Sequence, residues 1–361
     1  MNSTVYSSSV SSSNGYELQG SDYIGHGPKT FWLAADLNNI ANVSPIASFQ
    51  NLFAVFDLYK AMLVIFPEIQ NMFNCVSSAY ISNRARNIIN SLETLVRKLV
   101  FSFQDVVLNE SSNNLSQKGA VYYMTKYTVY YVDYISLYEE LITTIIVSWP
   151  TQSLGNKADD QFLEASDGTP LQLHMLRIMM SLRINLKRKS ILYEDSSMHY
   201  VFIMNNFNSI LTTMKECPQL DMIGNEYQSK LNKDILQATQ DYFSSIWHKV
   251  LYGLRHNGLN YKFLFYKGIS KKSVRKRFKT FNTAFEKFCE TQSTKFVEDT
   301  ELREQLRNLI LNKFLTDYKS FLEKIGCHIQ CERHNERYIK YSSEDLQNKI
   351  QSLFSEHLIS Q

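Results

Sequence analysis

From Phe49 onward, apolar residues recur at steps of three and four. Phe49, Leu52, Phe56, Tyr59, Leu63 and Phe66 form a first stripe, which Pro67 is expected to end. Ile88, Leu92, Leu95, Leu99, Phe103 and Val106 form a second, and a third helix is predicted from about Val121 to Val147. The polar segment 151–168, carrying Asp159, Asp160, Glu164 and Asp167, reads as a mobile loop. Helical patterning resumes over Leu171–Leu186 and Met198–Met214, then through Val274, Phe278, Phe281, Phe285 and Phe288. A long helix follows through Leu302, Leu306, Leu309, Phe314, Tyr318, Phe321 and Ile325. Ser342 with Asp345 has the spacing of a capping box and opens a last helix through Leu346, Ile350, Leu353 and Leu358. No period-two alternation is sustained and no segment repeats, so the pattern predicts an all-α chain whose stripes stack into an extended body. Residues 1–45 are rich in Ser and Asn without sustained period. They read as a disordered tail in which Phe31, Trp32 and Leu33 can dock locally.

Composition agrees with helices. The 361 residues include only 12 Gly and 6 Pro, well under the average usage of roughly 7% and 5%. Sheets and phosphate loops need both at their turns. Five scattered cysteines, at 75, 217, 289, 327 and 331, look like reduced intracellular thiols rather than a disulfide framework. The amino end has no signal-peptide pattern. The longest apolar stretches, 52–66 and 135–149, are broken by Asp57 and Lys60 and by Glu139 and Glu140, too early for a membrane span. Asn2 excludes myristoylation and the carboxyl end is not a prenylation signal. A cytoplasmic chain is expected, with Asn42 and Asn109 unglycosylated.

Catalytic motifs are missing: no phosphate-binding Gly-rich loop, no Gly-x-Ser-x-Gly elbow, no His-Glu-x-x-His pair. No catalytic residue, cofactor or metal site is assigned. Cys327, His328, Cys331 and His334 crowd into eight residues, unlike the two-armed spacing zinc uses, and read as a polar loop. Asn205 and Asn206, within an apolar helix, read as buried amides satisfied across a helix interface.

Charge changes the picture more. Between Phe243 and Phe285 there are ten Lys or Arg and no acid, and eight of the ten lie in 262–279: Lys262, Lys267, Lys271, Lys272, Arg275, Lys276, Arg277 and Lys279. At 100° per residue, Lys272, Lys276 and Lys279 lie opposite the Val274/Phe278/Phe281/Phe285 stripe. Such a helix buries its phenylalanines and offers cations to an anionic partner. Lipid headgroups, nucleic acid and an acidic protein all fit that pattern. Nucleic acid fits least, because the phenylalanines face the core instead of standing free to stack on bases. Glu286 and Glu290 continue the Lys272 face, which also allows internal pairing.

From about Ala47 to Leu358 the chain resembles the seventy-kilodalton subunit of the exocyst, the plant branch in particular. The likeness runs through Pro67-Glu68-Ile69 with Phe73, Gly119-Ala120-Val121 and Thr125-Lys126-Tyr127. It is densest in Asn185-Leu186, Lys189-Ser190, Tyr193 and Phe202-Ile203-Met204-Asn205-Asn206. It continues in Arg277-Phe278-Lys279-x-Phe281-Asn282, Asp299 with Leu302-Arg303-Glu304, and Tyr338-Ile339-Lys340-Tyr341. Tyr122-Tyr123 replaces a usual His-Pro pair and Phe296 a common Trp, so local packing is expected to differ.

The resemblance implies an elongated rod of stacked antiparallel helical bundles, no enzymatic activity, and a role in exocytosis, as a vesicle-tethering protein peripheral to the plasma membrane. In the family, basic residues near the carboxyl end meet phosphatidylinositol bisphosphate, and that pair falls on Arg337 and Lys340. With Lys272, Arg275, Lys276 and Lys279 they make the expected lipid-binding surface. The likeness corresponds to the carboxyl-terminal half of the family's rod. Without the coiled coil of the other half, weak or no entry into the exocyst is expected. Other exocyst subunits and small GTPases are the partners implied. The competing expectation is a diverged adaptor for another protein, such as a pathogen effector or plant immune receptor, outside the exocyst.

Overall fold

The computed structural model describes residues 47–73, 75, 79–112, 114–146, 153–255, 260–263, 266–329 and 338–355. The chain divides into two units, Met1–Asn51 and Leu52–Gln361. Of the first, only Ala47–Asn51, the opening of helix α1, falls among the described residues; the tail reading for 1–45 lies outside them. The fold below is that of the second unit.

Helices dominate: α1 (Ala47–Met72), α2 (Ala79–Asn109), α3 (Tyr123–Ser136), α4 (Glu139–Ile146), α5 (Lys157–Ala165), α6 (Pro170–Ser190) and α7 (Ser196–Glu216). After them come α8 (Asn225–Tyr252), α9 (Lys271–Ser293), α10 (Thr300–Ile329) and α11 (Ser343–Gln351). Between α8 and α9 lies one element the periodicity did not predict, a two-stranded antiparallel ribbon pairing β1 (Asn260–Phe263) with β2 (Tyr266–Ile269).

α6 is the centre of the first half. Thr169 and Gln172 cap it reciprocally, Pro170 sits in its first turn, and Leu171, Met175, Met179, Leu182 and Leu186 are buried around it. A helix apolar on most sides belongs inside a bundle, and α2, α3, α4, α5 and α7 pack around it. α8 lies against α7 on one side and against α9 and α10 on the other. There the core is aromatic: Trp247 of α8 lies 5.0 Å from Phe288 and 5.3 Å from Phe314 between ring centres, and Phe285 lies 5.3 Å from Phe314.

Five expectations need correction. Pro67 does not end α1, which runs on to Met72. The ring removes the bond to the Leu63 carbonyl, but Leu63 and Val64 are exposed, so water can donate to that oxygen instead. The predicted third helix is two helices. Its hydrogen bonds tighten at Leu137 and Tyr138, whose N–H groups donate to Tyr134 and Ile135, and Glu139 and Glu140 then open α4, where the helix dipole favours acids. Within 151–168, Asn156 caps α5, and Asp159 enters an ion-pair network instead of facing solvent. On α2 the inward stripe is Ala85, Ile89, Val96, Val100, Phe103 and Val107, with Ile88 and Leu95 exposed. Similarly, Ile310 rather than Leu309 is buried on α10.

Candidate anion-binding surface

α9 carries the surface. Ser270 caps it by accepting a hydrogen bond from the Ser273 N–H. Val274, Phe278, Phe281, Phe285 and Phe288 are all buried, so those rings fill the core and are not free to stack on bases. Lys272, Arg275, Lys276 and Lys279 are exposed on the other side of the helix. Two arginines of the run also hold α9 in place. Arg277 donates to the Tyr252 carbonyl at 3.1 Å and lies over that ring, and Arg275 lies over the Tyr338 ring. The side chains of Lys262 and Lys267 lie outside the described residues; their backbones pair directly across the ribbon that leads into α9.

Lys340 reaches the same helix from the far end of the sequence. Asn282 donates to the Tyr338 carbonyl and Tyr318 donates to the Tyr341 carbonyl, which pins 338–341 against α9 and α10. Lys340 then pairs with Glu286 at 2.5 Å, and the Tyr341 hydroxyl donates to the same carboxylate oxygen at 2.8 Å. The hydrogen bond from Lys340, then that from Tyr341, hold the Glu286 carboxyl below its usual range; the same pairing raises Lys340. Lys349 of α11 adds its charge to this cluster and lies over the Tyr341 ring. Lys349 carries no motif of its own, and Tyr341 enters the sequence reading only as part of Tyr338-Ile339-Lys340-Tyr341, with no role assigned. Only the convergence of α9, α11 and 338–341 makes them part of the surface. Glu286 was expected to pair with the Lys272 face; it pairs instead with Lys340, about 10 Å of helix axis beyond Lys279. Arg337, the other half of the carboxyl-terminal pair, lies outside the described residues.

Several other cations are used inside the fold. Lys189 pairs with Glu110, Lys295 with Asp195, and Arg183 with both Asp159 and Asp234; the three cations are buried, and of the acids only Asp195 is exposed. Asn205 and Asn206 are buried and structural. Asn206 accepts from the Tyr122 N–H and the Thr125 hydroxyl, and Asn205 donates to the carbonyls of Gly119 and Phe296. Tyr122, standing where His is usual, is buried and donates to Glu110 at 2.5 Å. Phe296 joins the same junction through its backbone, its N–H donating to Lys118.

Among the described residues no group of three or more His, Cys, Asp or Glu could hold a metal. Cys327 and His328 continue α10 rather than a loop; their side chains, with Cys331 and His334, lie outside the described residues. Among the described residues no helix is long and apolar enough to cross a membrane.

The fold is a helical stack with a basic face, and comparison with known proteins places it in a family. The family defined by the C-terminal part of the Exo70 exocyst complex subunit matches residues 33–352. This chain belongs to that family, one of non-enzymatic exocyst subunits. The Arabidopsis thaliana exocyst complex component EXO70A1 is 26% identical over 84% of this chain and 47% of its own length. The Homo sapiens exocyst complex component 7 is 24% identical over 85% and 42%. The chain thus spans about half the length of the curated relatives it matches. A solved structure of S. cerevisiae Exo70, 14% identical, superposes with a TM-score of 0.55 over 86% of this chain and 63% of that one. At that identity the match speaks for the helical fold alone.

Proposed function

We propose that the chain is a peripheral membrane-binding member of the exocyst family, acting in vesicle tethering at the plasma membrane. Its ligand is the anionic, phosphoinositide-containing cytoplasmic leaflet. The observation that carries this is on α9: a fully buried phenylalanine stripe backed by an exposed row of Lys272, Arg275, Lys276 and Lys279. Lys340 is delivered to the same helix, and Arg337 precedes it in sequence. A lysine near an anionic surface contributes about 1 kcal/mol, so Lys272, Lys276 and Lys279 together supply roughly 3 kcal/mol. That is reversible anchoring. The exocyst role and exocyst partners follow from the names of the relatives, whose full length this chain does not span.

A second reading, docking of another protein, is favoured by the exposed apolar side chains of α1 and α2. These include Val64 and Met72 on the first helix and Tyr80 and Ile88 on the second. Co-sedimentation with phosphatidylcholine vesicles, with and without phosphoinositide, separates the two. The wild type is expected to sediment only with the anionic vesicles, and Lys272→Glu/Lys276→Glu/Lys279→Glu to lose on the order of a hundredfold in partitioning. Arg337→Glu/Lys340→Glu is expected to weaken it further. Wild-type protein that stays in the supernatant at low salt sinks the membrane reading and leaves the protein-docking one.

A further inference from the structure

We infer that Glu286 is a resident competitor for the phosphate subsite formed by Lys340, Tyr341 and Lys349. The inference rests on the membrane reading above. The Lys340 ammonium and the Tyr341 hydroxyl both donate to one oxygen of the Glu286 carboxylate, at 2.5 and 2.8 Å. Lys349 is close enough for its charge to act on that carboxylate, though it acts on Asp345 as well. Lys340 and Lys349 lie 5.5 and 5.8 Å from the centre of the Tyr341 ring, so both are gathered around one rigid aromatic. An ammonium group and a hydroxyl converging on an oxyanion, with a second ammonium beside the same ring, are the donors a phosphomonoester headgroup uses. Tyr341 is 6% exposed and its carbonyl is fixed by Tyr318, so the hydroxyl is pre-positioned.

The pair is also easily exchanged. Lys340 and Glu286 keep 56% and 45% of their side-chain surface exposed, and such pairs are weak and screened by salt. A dianionic phosphate carries more charge than the carboxylate and can take over its donors, releasing Glu286 to water. A singly charged phosphodiester brings no such advantage. Glu286 therefore sets a threshold: the subsite opens to phosphomonoesters of a phosphoinositide and stays closed to phosphatidylserine.

Removing the competitor tests this. Glu286→Gln keeps the shape and an acceptor for Tyr341 but frees Lys340. Its affinity for phosphoinositide vesicles is expected to rise about two- to fivefold. Loss of any acid near a membrane raises binding, so Glu290→Gln, exposed one turn further along α9, measures that general effect and is expected to gain less. The advantage of Glu286→Gln over Glu290→Gln should vanish in a Lys340→Ala background. Equal gains for both glutamines, or a gain that survives without Lys340, overturn the competitor while leaving the membrane reading intact. Failure of the wild type to bind any anionic vesicle overturns both. The same variants titrated with soluble inositol bisphosphate separate a lipid from a free phosphate: a gain there with none on vesicles overturns the membrane assignment of the subsite.

Discussion

His174 lies on α6, buried, with its ring 5.6 Å from Phe101. Burial, and then the nearby charge of Arg177, push it down to about 4 from an ordinary 6.5. The folded state therefore takes up this proton only near pH 4, whereas the unfolded chain takes it up near 6.5. Between those values the unfolded state holds more protons, so stability falls as pH drops through that window, by about 3 kcal/mol at most. Glu110, Asp195 and Asp234 are held below the usual carboxylate range; burial works against them, and hydrogen bonds from Lys189, Lys295 and Arg183 outweigh it. Their contribution is complete above the unfolded carboxylate values and is lost only as pH falls through the lower folded ones, below most of the histidine window. Urea midpoints recorded from pH 7 to 4.5 should fall steeply for the wild type and more gently for His174→Gln. Parallel curves would mean that His174 is protonated in the folded protein.

At the scale of the helix, the contact between α8 and α9 sets where the basic face stands. Gly253 closes α8, and a Cβ placed there would come within 2.8 Å of the Phe281 backbone nitrogen. Its φ is ordinary, so closeness and not strain requires glycine. Gly253→Ala is expected to cost about 1–3 kcal/mol by forcing the helices apart, read as a lower thermal midpoint; unchanged stability would mean that they do not approach this closely. The stripe of α9 was legible because its phenylalanines occupy one face and cations the rest. α2 was harder: Ile88, Ile89, Leu92, Leu95, Val96, Leu99 and Val100 offer two adjacent apolar faces, and only packing against α6 chooses Ile89, Val96 and Val100. α5 was hidden for the opposite reason. Its first-turn acids look solvated until Arg183 and Lys230, from two other helices, arrive at Asp159. The pairing of Lys340 with Glu286 was likewise allowed by the sequence but not specified by it, since 54 residues separate the partners.

For the whole molecule, 38 basic and 35 acidic residues leave a net charge of only +3, too little to bring a chain of this size to a membrane by its overall field. The proposed membrane binding therefore rests on how the charge is distributed. Part of the positive charge is locked inside, with Lys189 and Lys295 almost wholly buried against carboxylates, while acids are missing between Phe243 and Phe285. The field that a bilayer meets is then local, reaching about one Debye length, roughly 10 Å at 0.1 M salt. Two triple variants separate distribution from total charge. Lys272→Glu/Lys276→Glu/Lys279→Glu and Lys98→Glu/Lys215→Glu/Lys233→Glu both take the net charge from +3 to −3, and all six lysines are exposed. The first set empties the α9 face; the second draws one lysine each from α2, α7 and α8. Vesicle partitioning at 0.1 M salt should collapse for the first and stay within a few-fold of wild type for the second, with wild-type binding fading as salt rises. Equal losses in the two sets would show that total charge and not the α9 face governs binding, and the surface assignment would fall.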